Sequence, residues 1–312
     1  MTFAMVFPGQ GSQSLGMMAA LSEQEPLVGQ TFAEASEVLG YDLWRLCQQG
    51  PEEQLGRTEI TQPAMLTAGV ATWRVWRQYG GAMPVAMAGH SLGEYTALVC
   101  AGSLDFKTAV DLVRFRGQAM QNAVPSGQGA MAAILGLDDS EVEAACLEAA
   151  QGEVVQAANF NSPGQVVIAG QKTAVERAIE VLKNKGAKRA LILPVSVPSH
   201  TELMRPAALQ LAERLNSIEF KEPQTQVYTV GSRTHGTPSA IRQALFDQLV
   251  GPVRWTDYVT TILSKGVNVV IECGPGKVLT GLNRRIDRNK DLVMLAIEDS
   301  QSLKEALDSV KV

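Results

Sequence analysis

The sequence predicts an α/β fold in which a large parallel-sheet unit carries a smaller inserted subdomain. Apolar runs at 2–7 and 85–88 end at glycine-containing loops, as buried strands do. Segments with helical spacing lie between and after these runs, and strands that alternate with helices are typical of a parallel sheet with helices on its faces. Between residues 128 and 196 the order of elements changes, and that change predicts the second unit.

The helices of the large unit are predicted from apolar residues spaced three and four apart. They cover 27–46, 64–79 and two stretches after Ser91 that Gly102 separates. Near the C-terminus, 267–273 is a continuous apolar strand that Gly274-Pro275-Gly276 ends. We therefore assign 1–127 and 197–312 to one large α/β catalytic domain.

Residues 128–196 follow the order βαββαβ, which is that of a ferredoxin-like unit. Its length of about 65 residues is enough for a subdomain. The predicted strands are 130–137, 154–160, 166–169 and 189–193, the predicted helices are 140–150 and 173–185, and Asn161-Ser162-Pro163-Gly164 is a predicted turn.

The composition excludes several classes of protein. Hydrophobic residues make up 46% and charged residues 19% of the 312 residues, which is typical of a folded globular chain. The net charge of −5 argues against general affinity for nucleic acid. No apolar run approaches the roughly 20 residues of a membrane span, and no Lys or Arg precedes Arg45, unlike in a secretory signal. We expect a cytoplasmic monomer.

The sequence indicates no metal, disulfide or nucleotide site. Cysteines occur only at scattered positions, with no CxxC pair and no neighbouring histidine. The glycines near Gln10 and Pro275 do not continue into the patterns of phosphate-binding loops. We therefore expect buried thiols and no bound cofactor.

Gly89-His90-Ser91-Leu92-Gly93 fits the pattern G-x-S-x-G between a predicted strand and a predicted helix. The glycines permit a sharp turn that exposes the Ser91 hydroxyl at the tip of the sheet. The pattern also occurs by chance in ordinary turns between strand and helix, but this context favours a nucleophile.

A nucleophilic serine needs a base, and the chain has three histidines. His90 adjoins Ser91 and would have to fold back to reach the hydroxyl, while His235 lies in a polar turn. His200 follows the apolar run 191–197, where the end of a strand could present it over the carboxyl edge of the sheet. Alone, His200 would be taken as a histidine satisfied by backbone groups; beside Ser91 we prefer it as the base.

Two backbone N–H groups are candidates for an oxyanion hole. Such enzymes use the N–H of the residue after the nucleophile, here Leu92, and a second N–H from a loop after a nearby strand. Gln10, in the loop Pro8-Gly9-Gln10-Gly11, is the candidate for the second.

Arg116 lies in the middle of the apolar stripe of the helix after Gly102, whereas Arg114 points away. A buried arginine requires an anion. By itself the position favours an internal carboxylate partner or a guanidinium that extends to water. Near a reactive serine, a bidentate contact to a substrate carboxylate becomes a competing explanation.

Together these motifs resemble those of the malonyl-CoA:acyl carrier protein transacylases of bacterial type II fatty-acid synthesis. The resemblance spans nearly the whole chain, in the same order. It rests on Phe7-Pro8-Gly9-Gln10-Gly11-Ser12-Gln13, Gly89-His90-Ser91-Leu92-Gly93-Glu94-Tyr95, Arg116-Gly117, Asn159-Phe160-Asn161-Ser162-Pro163-Gly164-Gln165, Val197-Pro198-Ser199-His200 and Gly274-Pro275-Gly276.

The resemblance implies a hydrolase-like large domain and a ping-pong transfer of malonyl from coenzyme A to the pantetheine thiol of acyl carrier protein. Coenzyme A is then a substrate and not a cofactor. The roles implied are nucleophile for Ser91, base for His200, oxyanion-hole donors for the N–H groups of Gln10 and Leu92, and a grip on the malonyl carboxylate for Arg116.

Two further positions follow from the resemblance. Gln248 matches the residue whose backbone carbonyl orients the histidine in this family, in place of a triad carboxylate. Tyr228-Thr229 is a departure, because many relatives carry Asn after this strand, and it affects the local turn contacts and not the chemistry.

Other functions use the same residues. A serine esterase or acyl hydrolase would employ Ser91 and His200 with water as acceptor, but it would gain nothing from a buried Arg116. A non-enzymatic binding module with the same fold would not need Ser91, His200 and Arg116 together.

Acyl carrier proteins are typically acidic, so a chain of net negative charge needs a local basic surface to receive one. The candidates are the pair Lys188 and Arg189 and the pair Arg284 and Arg285. Either pair could instead be a solvated helix end.

Overall fold

The computed structural model describes residues 2–195 and 197–311 of the chain. The larger sheet is formed by β1 (Phe3–Phe7), β2 (Ala86–Gly89), β7 (Gln226–Thr229), β8 (Arg233–Thr234), β9 (Val269–Cys273) and β10 (Val293–Ile297). Their order is β10-β9-β1-β2-β7-β8. All neighbours pair in parallel except β8, which runs antiparallel to β7. The parallel sheet predicted from the sequence is confirmed.

The smaller sheet is antiparallel and is formed by β3 (Gly129–Leu135), β4 (Val155–Ser162), β5 (Gln165–Gln171) and β6 (Arg189–Ile192). Its order β4-β5-β3-β6 is that of a ferredoxin-like unit. The division of the chain into 1–127 with 197–312 and 128–196 stays a prediction, and Ser196, at its second boundary, lies outside the described residues.

Helices cover both faces of the larger sheet. Alternate residues of β1 therefore enter different clusters, Met5 and Phe7 on one face, Ala4 and Val6 on the other. The helices are α1 (Ala19–Ser22), α2 (Pro26–Leu39), α3 (Leu43–Gln49), α4 (Glu52–Leu55), α5 (Thr58–Gln78), α6 (Gly93–Cys100), α7 (Phe106–Ala123), α8 (Asp139–Ala150), α9 (Lys172–Asn184), α10 (Arg205–Asn216), α11 (Pro238–Val250), α12 (Trp255–Leu263), α13 (Val278–Ile286) and α14 (Ser300–Val310).

The predicted helix 27–46 is wrong as one element. Gly40 adopts a φ of 78°, a conformation that ends α2, and the Asp42 carboxylate caps α3 by accepting from the Arg45 N–H. The predicted turn at 161–164 is also shorter, because β4 continues to Ser162.

The small sheet contacts the large unit through β4. The Phe160 N–H donates to the Val253 carbonyl at 2.9 Å, and the Val253 N–H donates to the Ala158 carbonyl at 2.9 Å. These bonds fix the β4 edge next to the beginning of α12, so a cleft remains between the two sheets. Among the described residues, no helix is long and apolar enough to cross a membrane.

Candidate active site

A cavity of about 620 Å³ lies in this cleft, at the carboxyl ends of the parallel strands. Open α/β sheets bind ligands at this edge. Five of the residues given a role in catalysis or substrate binding from the sequence line the cavity, and both units contribute to its wall. They are Gln10, Ser91, Leu92, Arg116 and His200.

Ser91 sits on a strained turn between β2 and α6. Its φ of 52° is in the left-handed region, which non-glycine residues seldom adopt. A Cβ on Gly89 would lie 1.8 Å from the Gly93 carbonyl carbon, and one on Gly93 would lie 2.0 Å from the Phe7 carbonyl oxygen. Both glycines of the pattern are therefore required by close backbone approach, and the turn directs the serine hydroxyl into the cavity.

His200 contacts Ser91. Its Nε2 lies 2.8 Å from the Ser91 Oγ, and its Nδ1 lies 2.7 Å from the carbonyl oxygen of Gln248. That carbonyl belongs to the last turn of α11, where carbonyls lack helical partners and carry the negative end of the helix dipole. A carbonyl in this position fixes the imidazole so that Nδ1 carries the proton and Nε2 can accept one.

The expectation that the end of a strand presents His200 is wrong. The preceding strand, β6, ends at Ile192 and belongs to the small sheet. His200 instead lies in an irregular segment and has a φ of 62°. It is 3% exposed, so packing and not strand geometry holds it in place.

The His200 imidazole is neutral at physiological pH. Burial, and then the nearby Arg116 cation, lower its pKa to about 3, while the hydrogen bond to Gln248 acts in the opposite direction. Nε2 is therefore available to accept the Ser91 proton.

Leu92 and Gln10 both place backbone at the cavity. Leu92 is the N-cap of α6, where the N–H groups are free of helical partners and the dipole favours negative charge. The loop of Gln10 is held by Gln13, whose side-chain oxygen accepts from the Gly11 N–H at 2.7 Å. Among the described residues, neither the Gln10 nor the Leu92 N–H is bonded to a protein acceptor.

Arg116 is 1% exposed, on the cavity side of α7. It donates to the side-chain oxygens of Gln62 at 2.8 Å and Gln248 at 3.0 Å, and to the Ser91 Oγ at 3.3 Å. Among the described residues, no carboxylate forms an ion pair with it and its Nε–H has no acceptor. A buried cation held by neutral groups is suited to an incoming anion.

Sequence reasoning missed the two glutamine side chains that hold Arg116. Gln62 is 1% exposed and lies on a helix whose neighbouring residues are buried. A polar residue on an apolar helix face was the feature of the sequence that could have indicated its role. For Gln248 the resemblance indicated only the backbone carbonyl, yet its side chain contacts Arg116, Ser91 and Glu94.

The other two histidines are engaged elsewhere. The Nε2 of His90 lies 2.8 Å from the Asn161 Oδ1, which ties the turn to β4. His235, expected in a polar turn, is buried, and its Nε2 lies 2.7 Å from the Glu94 carboxylate. Neither is hydrogen-bonded to Ser91.

The four basic residues proposed for carrier docking are exposed. Arg284 donates to the Met294 carbonyl at 3.1 Å, and Arg285 donates to the side chain of Gln165 in β5. None of the four forms an ion pair within the described part of the chain. Within residues 2–195 and 197–311, no group of three potential ligands could hold a metal ion.

Residues 4–296 match the family model described as "Acyl transferase domain". The malonyl CoA-acyl carrier protein transacylase of Salmonella typhimurium is 60% identical over 91% of this chain and 92% of its own length. The protein of the same name from Bacillus subtilis is 44% identical over 99% and 97%.

Solved structures agree with this assignment. The malonyl CoA-acyl carrier protein transacylase of Coxiella burnetii superposes with a TM-score of 0.98 at 50% identity, covering 100% of this chain and 98% of that one. A malonyl-transacylase in complex with its type II PKS acyl-carrier protein gives 0.97 at 58% identity, covering 99% and 100%. The chain therefore belongs to the acyl transferase family and, within it, to the malonyl CoA-acyl carrier protein transacylases.

Proposed function

We propose that this chain transfers a malonyl group from coenzyme A to the pantetheine thiol of an acyl carrier protein, through a malonyl ester on Ser91. The observation that carries the proposal is Arg116, a buried cation 3.3 Å from the Ser91 hydroxyl and lining the same cavity. A planar two-pronged donor there fits the free carboxylate of a malonyl group while its thioester carbon faces the serine.

In the first half-reaction, His200 Nε2 accepts the Ser91 proton as Oγ attacks the thioester carbonyl. The oxyanion that forms accepts hydrogen bonds from the N–H groups of Gln10 and Leu92. When the carbon–sulfur bond breaks, the proton on His200 passes to the departing thiolate and coenzyme A leaves as the thiol. The malonyl group remains on Ser91 as an ester.

The second half-reaction runs the same steps in reverse. His200 takes the proton of the carrier's pantetheine thiol, the thiolate attacks the ester carbonyl, and the same N–H groups hold the oxyanion. The proton then returns to the Ser91 oxygen as the acyl–oxygen bond breaks. The bonds and protons of both half-reactions are accounted for without a metal or a redox partner. That the enzyme needs no bound cofactor stays a prediction.

We further propose that the carrier docks on one basic surface made by both pairs. Arg189 on β6 and Gln165 on β5 both pair with Leu135 of β3, so they lie about 10 Å apart across the sheet. Because Arg285 is bonded to Gln165, the sheet brings Arg285 near Arg189. We infer that Arg189 and Arg285, each with the basic residue before it in the chain, contribute to one patch of positive charge.

The proposal that this patch serves the cavity is supported by two residues near it in the chain. Leu282, one turn before Arg285 on α13, lines the cavity, as does Leu193, which follows β6. A carrier held on the patch would have its flexible arm next to the entrance. The cytoplasmic location and the monomeric state expected from the sequence stay predictions.

Intact-protein mass spectrometry after mixing with malonyl-CoA tests the function. We expect one malonyl group per chain, lost in Ser91→Ala and kept in Ser199→Ala, since Ser199 also lines the cavity. Adding acyl carrier protein should remove the adduct and place it on the carrier.

Other outcomes would favour other functions. An adduct that disappears in buffer as fast without a carrier as with one would indicate an acyl hydrolase. An adduct that survives Ser91→Ala would place the nucleophile elsewhere, and no adduct on the folded wild type would contradict the transfer.

A further inference from the structure

A chain of buried hydrogen bonds connects Arg116 to a carboxylate that lies one side chain away. The Gln248 amide stands between them: its oxygen accepts from Arg116 at 3.0 Å, and its nitrogen donates to the Glu94 Oε2 at 2.6 Å. Glu94 and Gln248 are 1% and 2% exposed. The carboxylate and the amide are therefore almost completely withdrawn from solvent.

The other carboxylate oxygen of Glu94 contacts a hydroxyl and an imidazole. Its Oε1 accepts from the Thr229 hydroxyl at 2.6 Å and from His235 Nε2 at 2.7 Å. The Nδ1 of His235 has no partner among the described residues. Among the described residues Glu94 makes no ion pair with a lysine or an arginine, and the guanidinium that its chain of hydrogen bonds reaches is that of Arg116.

The amide between the two charges has a consequence for Arg116. A direct carboxylate partner would occupy the donors that a substrate carboxylate needs. Placed behind Gln248, Glu94 offsets the cost of burying the cation through the low-dielectric interior but leaves the Arg116 Nε–H without an acceptor. Burial lowers the pKa of the Arg116 guanidinium, whereas the neighbouring Tyr95 and Glu94 act in the opposite direction and raise it.

We propose that Glu94 is the counter-charge of Arg116, acting through the Gln248 amide, and that it sets both the stability of the buried cation and the strength with which the site selects a substrate carboxylate. The stability part depends only on the two charges. The selectivity part rests on the proposed function, because it requires an acyl group that bears a carboxylate.

A double-mutant cycle on thermal unfolding tests the stability part. Glu94→Gln keeps the shape of the side chain and can still accept from Gln248, but it leaves Arg116 buried without its counter-charge. We expect each of Glu94→Gln and Arg116→Met to lower Tm by roughly 5–10 °C, and the double variant to unfold at a higher temperature than either single variant.

Glu272→Gln is the matched control. Glu272 is also a fully buried carboxylate, but it accepts from the N–H groups of Leu279 and Thr280. Its effect should add to that of Arg116→Met. If the Tm losses of Glu94→Gln and Arg116→Met also add, or if the double variant does not fold, the proposal is overturned. A soluble double variant would support the proposal if Glu94→Gln alone is insoluble.

Acylation of Ser91 by malonyl-CoA and by acetyl-CoA tests the selectivity part. Without the opposing charge of Glu94, Arg116 attracts the malonyl carboxylate more strongly. We therefore expect Glu94→Gln to raise the ratio of kcat/KM for malonyl-CoA over acetyl-CoA several-fold, mainly through KM, and to leave the ratio unchanged when Arg116 is Met.

If Glu94 served folding alone, Glu94→Gln would lower kcat/KM equally for both acyl-CoA substrates. An unchanged or lower ratio of the two values would overturn the selectivity part. Wild-type acylation with malonyl-CoA tells whether the proposed function itself holds. The stability cycle is measured without substrate, so a failure of the function and a failure of the counter-charge are distinguished.

Discussion

Arginines in two regions of the molecule are placed to meet anions under opposite conditions. Arg116 is buried, is oriented by the side chains of Gln62 and Gln248, and is connected through Gln248 to the Glu94 carboxylate. Arg189 and Arg285 are exposed and make no ion pair among the described residues. In the proposed function the buried cation discriminates between acyl groups, whereas the exposed cations attract a large acidic partner weakly and in a salt-dependent manner.

The largest effect is expected in the interior, at the proposed general base. His200→Ala removes the group 2.8 Å from the Ser91 Oγ. We expect kcat for acylation to fall by roughly 10²–10⁴-fold, measured by rapid-quench transfer of malonyl, with Tm little changed. Activity within a few-fold of wild type would assign the base to His90 or His235 instead.

A second test uses two arginines of one helix. Arg116→Ala should lower kcat/KM for malonyl-CoA by roughly 10²-fold and spare acetyl-CoA, since charge-assisted bonds contribute about 1.5–3 kcal/mol each and acetyl has no carboxylate. Arg114→Ala is the control, because Arg114 is half-buried and pairs with Asp111 away from the cavity. Equal losses on both substrates would mean that Arg116 is structural.

The pH dependence tests whether burial and Arg116 control the base. With the His200 pKa lowered to about 3, the imidazole stays neutral well below its usual value of 6.5. We expect kcat/KM for acetyl-CoA, which avoids the malonyl carboxylate, to stay flat from pH 7 to pH 5. In Arg116→Ala the acid limb should move up toward 6.5, because a nearby cation is lost; a wild-type limb at 6.5 would contradict this.

The smallest effects are expected on the surface. Arg189→Glu with Arg285→Glu should raise KM for the carrier roughly tenfold, leave Ser91 acylation by malonyl-CoA unchanged, and reduce the salt dependence of the carrier step. Lys265→Glu is the control, since this exposed lysine precedes β9, at the amino ends of the parallel strands and so away from the cavity. Unchanged carrier kinetics in the double variant would place the docking surface elsewhere.

Much of the fold and of the nucleophile's setting could be predicted from the sequence, because both follow from local patterns. The burial of β1 follows from its apolar run, and the turn at Ser91 follows from glycines whose spacing only a sharp strand-to-helix turn requires. The burial of Arg116 follows from the period of its helix. Such patterns state which face is buried and not what covers it.

The tertiary structure alone decided which distant groups meet. Hydrogen bonds from Glu94 through Gln248 to Arg116 join three segments, and residue spacing along the chain carries no signal for contacts of that kind. His200 is presented by packing against α11 and not by a strand, so periodicity could not place it. The register of the small sheet places Gln165, the partner of Arg285, two strands from Arg189, and that register is set when strands pair and side chains pack.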